Sequence, residues 1–258
     1  MELRLRLYYK IALITLLFVA GIIIAAIIFP VLDVLCKPTS AKPKRDALKL
    51  AWLNWFGAIV GLHVSKEGKM PDKPCLLVSN HVSWLDIIVL GSFSPAYFVA
   101  KSDILAWPVI GYLAKQGGTL FVRRGEKQQA KAISEEMVWL LKQNRTVIAF
   151  PEGTTTNGET VLPFHASLFQ AALLTKATVQ PVAIQYLGKA KGYAPFIGED
   201  AFVPHLVRML SLDKVEVRVA FLPTLHSAGK NRQSMSHDAR ALIMNSVSGE
   251  KTKAQLRH

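Results

Sequence analysis

The sequence predicts an α/β fold, a largely parallel sheet flanked by helices, with an N-terminal membrane helix in front of it. Three observations predict this. From Cys75 onward, short runs rich in Val, Ile, Leu and Phe alternate with longer stretches of helical apolar spacing, the pattern of a parallel sheet covered on both faces. Chemistry-bearing residues fall just past the ends of several runs, where such sheets place their sites. Ile11 to Phe29 holds 19 residues and no charged side chain. As a helix it is about 28 Å long, close to the hydrocarbon thickness of a bilayer.

The N-terminal stretch reads as an anchor rather than a cleaved leader, because it is long for a leader core and no small-x-small cleavage site follows Phe29. Arg4, Arg6 and Lys10 precede it and Lys37, Lys42, Lys44 and Arg45 follow, so basic residues give it no orientation. An ordinary span and a segment that dips in and returns around Gly21 or Pro30 both fit. Residues 1–45 are therefore read as a membrane-anchoring segment and 46–258 as the second, catalytic-sized domain. Asp46 to Val64 has a broad apolar helical face that includes Trp52 and Trp55, suited to a core or to a membrane interface. Lys66 to Lys73, with Gly68 and Pro71, reads as a loop.

Strands are predicted at 75–79, 97–101, 119–123, 146–150, 179–186 and 215–222, and helices at 84–90, 102–115, 126–144, 163–177 and 202–210, with a further helix around 238–246. A chain of 258 residues with 51% hydrophobic content buries one sizeable core. Its formal charge of +13 calls for an acidic partner. Beside an apolar anchor that partner is an anionic membrane rather than nucleic acid. Cys36 and Cys75 are the only cysteines and no histidines are spaced as ligands, so neither a disulfide framework nor a metal site is expected. His63, His205, His226, His237 and His258 read as surface or packing residues.

Two stretches carry chemistry. In Val78-Ser79-Asn80-His81-Val82-Ser83-Trp84-Leu85-Asp86 a buried strand gives way to a helix, which sets His81 at the turn and Asp86 in the first helical turn. A carboxylate there can take the proton of one ring nitrogen and leave the other as a base, although an Asp early in a helix often only caps it. In Phe150-Pro151-Glu152-Gly153-Thr154-Thr155-Thr156-Asn157-Gly158 a strand runs into a turn with an anion, free backbone N–H groups and hydroxyls. Lys101 and Arg124 stand at further strand ends.

These residues carry a resemblance. Asn80 to Asp86 looks like the Asn-His-x4-Asp block of the glycerophospholipid acyltransferases, the family of 1-acylglycerol-3-phosphate acyltransferase. Gly118 to Arg124 is similar to that family's second block, Phe150 to Thr154 to its third and Val179 to Ala183 to its fourth, in the same order. The resemblance implies transfer of a fatty acyl group from acyl carrier protein or coenzyme A to a hydroxyl of a lysophospholipid, with no cofactor and no metal. It implies His81 as general base and Asp86 as its orienting partner. Lys101, Arg123 and Arg124 would neutralise the acidic headgroup, and Glu152, Gly153 and Thr154 would shape the acceptor pocket. Backbone N–H groups would meet the oxyanion. It further implies a bacterial inner membrane with the catalytic domain on the cytoplasmic face.

The acceptor expected first is 1-acylglycerol 3-phosphate, giving phosphatidate. Three departures bear on it: Thr155 stands where those enzymes usually carry Arg, Arg123 where they carry Asp, and His165 where they commonly carry Lys or Arg. The Thr-Thr-Thr-Asn-Gly continuation and Gly198 to His205 look more like the branch that acylates lyso-ornithine lipid and other lysolipids. Outside acyl transfer, a hydrolase is disfavoured because no Gly-x-Ser-x-Gly elbow is present. A noncatalytic basic membrane-binding protein explains the charge and the anchor, but not a His–Asp pair at a strand end.

Overall fold

In the computed structural model the described residues are 2–122 and 127–255. The chain opens with an apolar helix, α1 (Glu2–Ile23), which continues through one π-helical turn (Ile24–Ile28) into α2 (Phe29–Leu35). Pro30 has no N–H to offer the turn before it, and the widened π turn absorbs that missing bond without a bend back. The reversal comes instead after Leu35, from which α3 (Pro38–Val60) returns alongside α1. The turn is therefore at neither Gly21 nor Pro30. Because α3 starts inside the 1–45 segment and supplies Leu53, Phe56 and Val60 to the core, the chain passes residue 45 without a break.

Both ends of the apolar helix are tied to the rest of the molecule. Near its start Lys10 Nζ donates to the carbonyls of Leu212 (2.8 Å) and Val60 (3.1 Å), and Arg6 pairs with Asp213. Near its end Asp33 pairs with Arg45 of α3 at 2.7 Å. Between these ties an outward face of Leu16, Val19, Ile23, Ile27, Val31 and Val34 is left exposed.

Among the described residues seven strands form one sheet in the order β1-β7-β6-β2-β5-β3-β4, where β1 is Leu62–Glu67, β2 Leu76–Ser79, β3 Ala96–Lys101, β4 Leu120–Val122, β5 Thr146–Ala149, β6 Val179–Tyr186 and β7 Val215–Phe221. Every neighbouring pair is parallel except β6 with β7. The helices between strands are α4 (Leu85–Gly91), α5 (Ile110–Gln116), α6 (Lys127–Lys142), α7 (Gln170–Thr175), α8 (Ala190–Tyr193) and α9 (Phe202–Leu210), with α10 (Arg232–Gln255) last. β2 and β5 are buried along their whole length, as expected for strands covered on both faces.

β1 corrects the reading of Asp46–Val64 as helix and Lys66–Lys73 as loop. The helix stops at Val60 because Gly61 takes a left-handed cap (φ 87°), and the next six residues pair with β7 as an exposed edge strand. The helix predicted over 102–115 is also two pieces, a 3₁₀ turn (Ser102–Ala106) and α5, separated at Pro108 and at Val109, whose φ is 64°.

Candidate active site

The turn that carries His81 is fastened before it reaches that residue. Asn80, fully buried at the end of β2, reaches across to β6 with both groups of its amide. Nδ2 donates to the Ile184 carbonyl (2.9 Å) and Oδ1 accepts from the Ile184 N–H (2.8 Å). This extends the β2–β6 ladder by one side chain, and His81 leaves the sheet from a fixed point. The His81 ring lies flat on Phe150, with ring centroids 4.0 Å apart and an interplanar angle of 16°.

Asp86, fully buried in the first turn of α4, is where the donors of this turn converge. Its Oδ2 lies 2.8 Å from His81 Nδ1 and accepts from the N–H groups of Val82 (2.7 Å) and Ser83 (3.0 Å). Its Oδ1 accepts from the Tyr186 hydroxyl at 2.7 Å. A carboxylate facing this set of donors accepts and does not donate, so in the neutral form of His81 the proton sits on Nδ1 and Nε2 presents a lone pair. Burial, and then the nearby Asp86, hold the Tyr186 hydroxyl well above its ordinary pKa, so it remains a donor. Tyr186 had no signal in the sequence beyond an apolar strand ending in a hydroxyl, because it meets Asp86 from a position 100 residues away.

Glu152 is also buried, and each of its oxygens is taken by a backbone amide. Oε1 accepts from His81 N and Oε2 from Leu162 N, both at 2.8 Å. Burial raises its carboxyl pKa while those two amides pull it down. Its side chain thus ties the histidine turn to the loop after β5 and does not line the cavity, whereas Gly153 and Thr154 do. Thr156 N completes the tie by donating to the His81 carbonyl at 2.8 Å.

His81 opens into a cavity of about 810 Å³. Its walls include Lys101, Val122, Thr154 and His165. Others are apolar, from Trp84 and Phe56 through Trp52 and Phe18 to Gly21 and Ala25 on the inner side of the N-terminal helix. The N-terminal helix therefore builds part of the cavity. Lys49, which also lines the cavity, has its Nζ held by the carbonyls of Ala96 (2.9 Å) and Gly117 (3.3 Å), 4.7 Å from the Tyr97 ring. Burial lowers the pKa of this ammonium, with Asp46 opposing. Lys49 is shared with a second recess of about 410 Å³ lined by Lys42, Arg45 and Asp46. Arg123 and Arg124 lie outside the described residues; Val122, the residue before them, borders the cavity. Among the described residues no group of His, Cys, Asp or Glu is placed to hold a metal ion.

A family profile described as Acyltransferase matches residues 61–185, the stretch that contains the whole His81–Asp86–Glu152 arrangement. The chain is 38% identical over 217 residues to lyso-ornithine lipid O-acyltransferase of Pseudomonas aeruginosa, covering 83% of this chain and 84% of that protein. It is 33% identical over 165 residues to 1-acyl-sn-glycerol-3-phosphate acyltransferase of Neisseria meningitidis, covering 63% and 65% respectively. The fold is that of the 1-acyl-sn-glycerophosphate acyltransferase from Thermotoga maritima, whose crystal structure superimposes with a TM-score of 0.66 at 19% identity over 94% of this chain and 97% of that one. On sequence, the chain belongs to the acyltransferase family.

Proposed function

We propose that the protein is an O-acyltransferase that moves a fatty acyl group from an acyl thioester to the free hydroxyl of a lysophospholipid. The observation that carries this reading is a histidine whose Nδ1 is held by a buried carboxylate and whose ring lines a largely apolar cavity. His81 Nε2 takes the proton of the acceptor hydroxyl as its oxygen attacks the thioester carbonyl, and the imidazolium so formed is held by Asp86. Backbone N–H groups bordering the cavity meet the oxyanion, a contribution of about 3 kcal/mol per donor. The C–S bond then breaks, and the leaving thiolate takes the proton back from His81. Lys101, with Arg123 and Arg124, is assigned to the acidic headgroup, and Gly153 and Thr154 to the acceptor pocket that Glu152 orders. The cavity walls suit a fatty chain.

The acceptor is 1-acylglycerol 3-phosphate in the first reading. A second reading, lyso-ornithine lipid, is favoured by the similarity that extends over 84% of the Pseudomonas relative and by Thr155, which brings no positive charge to the cavity. The donor is acyl carrier protein or acyl-coenzyme A, either of which suits a chain of net charge +13. Residues 1–45 act as the anchor and 46–258 as the acyltransferase domain. With the start of its apolar helix tied to that domain through Lys10 and Arg6, the anchor lies along an anionic membrane, which its basic flanks hold at about 1 kcal/mol per residue. We place it on the cytoplasmic face of a bacterial inner membrane. Purified protein assayed with labelled acyl carrier protein and acyl-coenzyme A against a panel of lysolipids tests this reading. Transfer to 1-acylglycerol 3-phosphate supports the first acceptor and transfer confined to lyso-ornithine lipid the second. No transfer to any lysolipid refutes both.

A further inference from the structure

The matched family region ends at residue 185, yet one wall of the cavity beside His81 comes from the chain beyond it. After β6 and α8 the segment 194–208 folds back over both catalytic loops. Phe196 N donates to the Val82 carbonyl at 2.9 Å, in the histidine turn. The Phe196 carbonyl accepts from the Thr155 hydroxyl, in the loop that carries Glu152. The rings of Phe196 and Phe202 then close on Trp107, at centroid distances of 6.3 and 5.7 Å. Phe196, Phe202, Trp84, Trp107 and Thr155 all face the cavity.

His205 is the buried polar residue at the centre of this segment, 1% exposed. The Trp84 indole N–H donates to its Nδ1 at 3.0 Å, and its Nε2 meets the carbonyls of Ala194 (3.1 Å) and Pro195 (3.3 Å). These partners require one form of the ring, neutral with its proton on Nε2, because an indole N–H can only donate and a carbonyl can only accept. Arg208 secures the same corner by pairing with Asp200 and donating to the Pro195 carbonyl at 3.2 Å. Trp84 sits two residues from Asp86 and three from His81. The ring of His205 thus fixes where the wall of the reaction cavity stands without touching the reacting atoms.

We infer that segment 194–208 is a strap that builds the lysolipid-facing wall of the cavity, and that His205 is its positioning residue, acting through Trp84. The inference rests on the acyltransferase reading. It assigns Thr155 to holding the strap and not to binding a headgroup charge, and it makes Phe196 and Phe202, the part of the aromatic wall supplied from outside the matched region, the part that selects the acceptor.

Three proteins test it: wild type, His205→Phe and His205→Gln. Phenylalanine keeps the ring volume and loses both hydrogen bonds, whereas glutamine supplies an acceptor for Trp84 and a donor for the carbonyls. Steady-state transfer is measured against lysolipid concentration, and exchange of the Trp84 indole proton is followed in protein labelled with [15N]tryptophan. The strap predicts that His205→Phe raises the lysolipid KM by about five- to thirtyfold, the loss of one to two ordinary hydrogen bonds, while kcat stays within about twofold and His205→Gln restores KM. A His205→Phe protein that unfolds at lower temperature with unchanged KM makes His205 a fold residue only and overturns the inference. If wild type transfers to no acceptor, the acyltransferase reading fails by itself and indole exchange still decides the strap. Exchange about tenfold faster in His205→Phe and slow in His205→Gln supports it, and unchanged exchange overturns it.

Discussion

Replacing Asp86 by asparagine separates the two duties of that carboxylate. Its Oδ2 accepts from the His81 ring and from the Val82 and Ser83 amides, and its Oδ1 accepts from the Tyr186 hydroxyl. An asparagine fits one way round: its oxygen must take the Oδ2 position, because an NH2 group there faces only donors. The NH2 then meets the Tyr186 oxygen, which can turn to accept it. His81 keeps its proton on Nδ1 and Nε2 remains a base. What disappears is the negative charge that holds the imidazolium formed during transfer. Hydrogen bonds to a charged partner contribute about 1.5–3 kcal/mol against about 0.5–1.5 for neutral ones, so the loss is about 1–2 kcal/mol. At about 1.4 kcal/mol per decade this lowers kcat by about 5- to 30-fold. Asp86→Ala strands the ring and the two amides together, and it takes away most of the about hundred- to ten-thousand-fold that general base catalysis supplies. Both variants are assayed for acyl transfer in detergent micelles, with thermal unfolding followed in parallel. An Asp86→Asn protein as inactive as Asp86→Ala but unfolding at the wild-type temperature would refute the argument, because charge loss alone could not account for it.

Three further outcomes follow from the same geometry. Tyr186→Phe leaves Asp86 Oδ1 without its donor in a buried site, so the unfolding free energy drops by about 1–3 kcal/mol with KM unchanged; a denaturation midpoint equal to wild type contradicts this. Lys49→Ala empties the side-chain space shared by the apolar cavity and the neighbouring recess, so donors with longer chains gain about fourfold per added methylene in relative kcat/KM. A product spectrum that does not shift toward longer chains, read by mass spectrometry, speaks against Lys49 as a wall between the two spaces. Burial pushes the Cys75 thiol up to about 12, so alkylation of the native protein labels Cys36 and leaves transfer intact. Inactivation that tracks labelling of Cys75 runs counter to its place in a closed core.

Local pattern carried the frame of this protein. Fully buried strands such as β2 and β5 are unbroken apolar runs, and the His81–Asp86 pair is close enough in sequence for a strand-to-helix turn to bring the two side chains together. The edge strand β1 was not legible, because Leu62-His63-Val64-Ser65-Lys66-Glu67 is exposed along most of its length and lacks the apolar signature of the buried strands. The partners of Glu152 were not legible for a different reason. An acid in a turn beside a predicted pocket shows no sign of what holds it, and only the fold brings the amides of His81 and Leu162 to its two oxygens. Tyr186 and His205, which reach the catalytic turn across 100 and 121 residues, had no local signal at all. The apolar N-terminal helix was legible in the composition, but its course was not. Its turn after Leu35 and its ties through Lys10 and Asp33 depend on partners that a hydropathy pattern does not contain.

The measurement closest to the central claim is acyl transfer by wild type and His81→Ala, each reconstituted in vesicles containing anionic lipid, with vesicle binding recorded on the same samples. The account predicts that transfer to a lysolipid falls by at least the about hundred-fold that a general base supplies, while vesicle binding is unchanged. Transfer that persists in His81→Ala at the wild-type rate contradicts the account, because the base would then lie elsewhere.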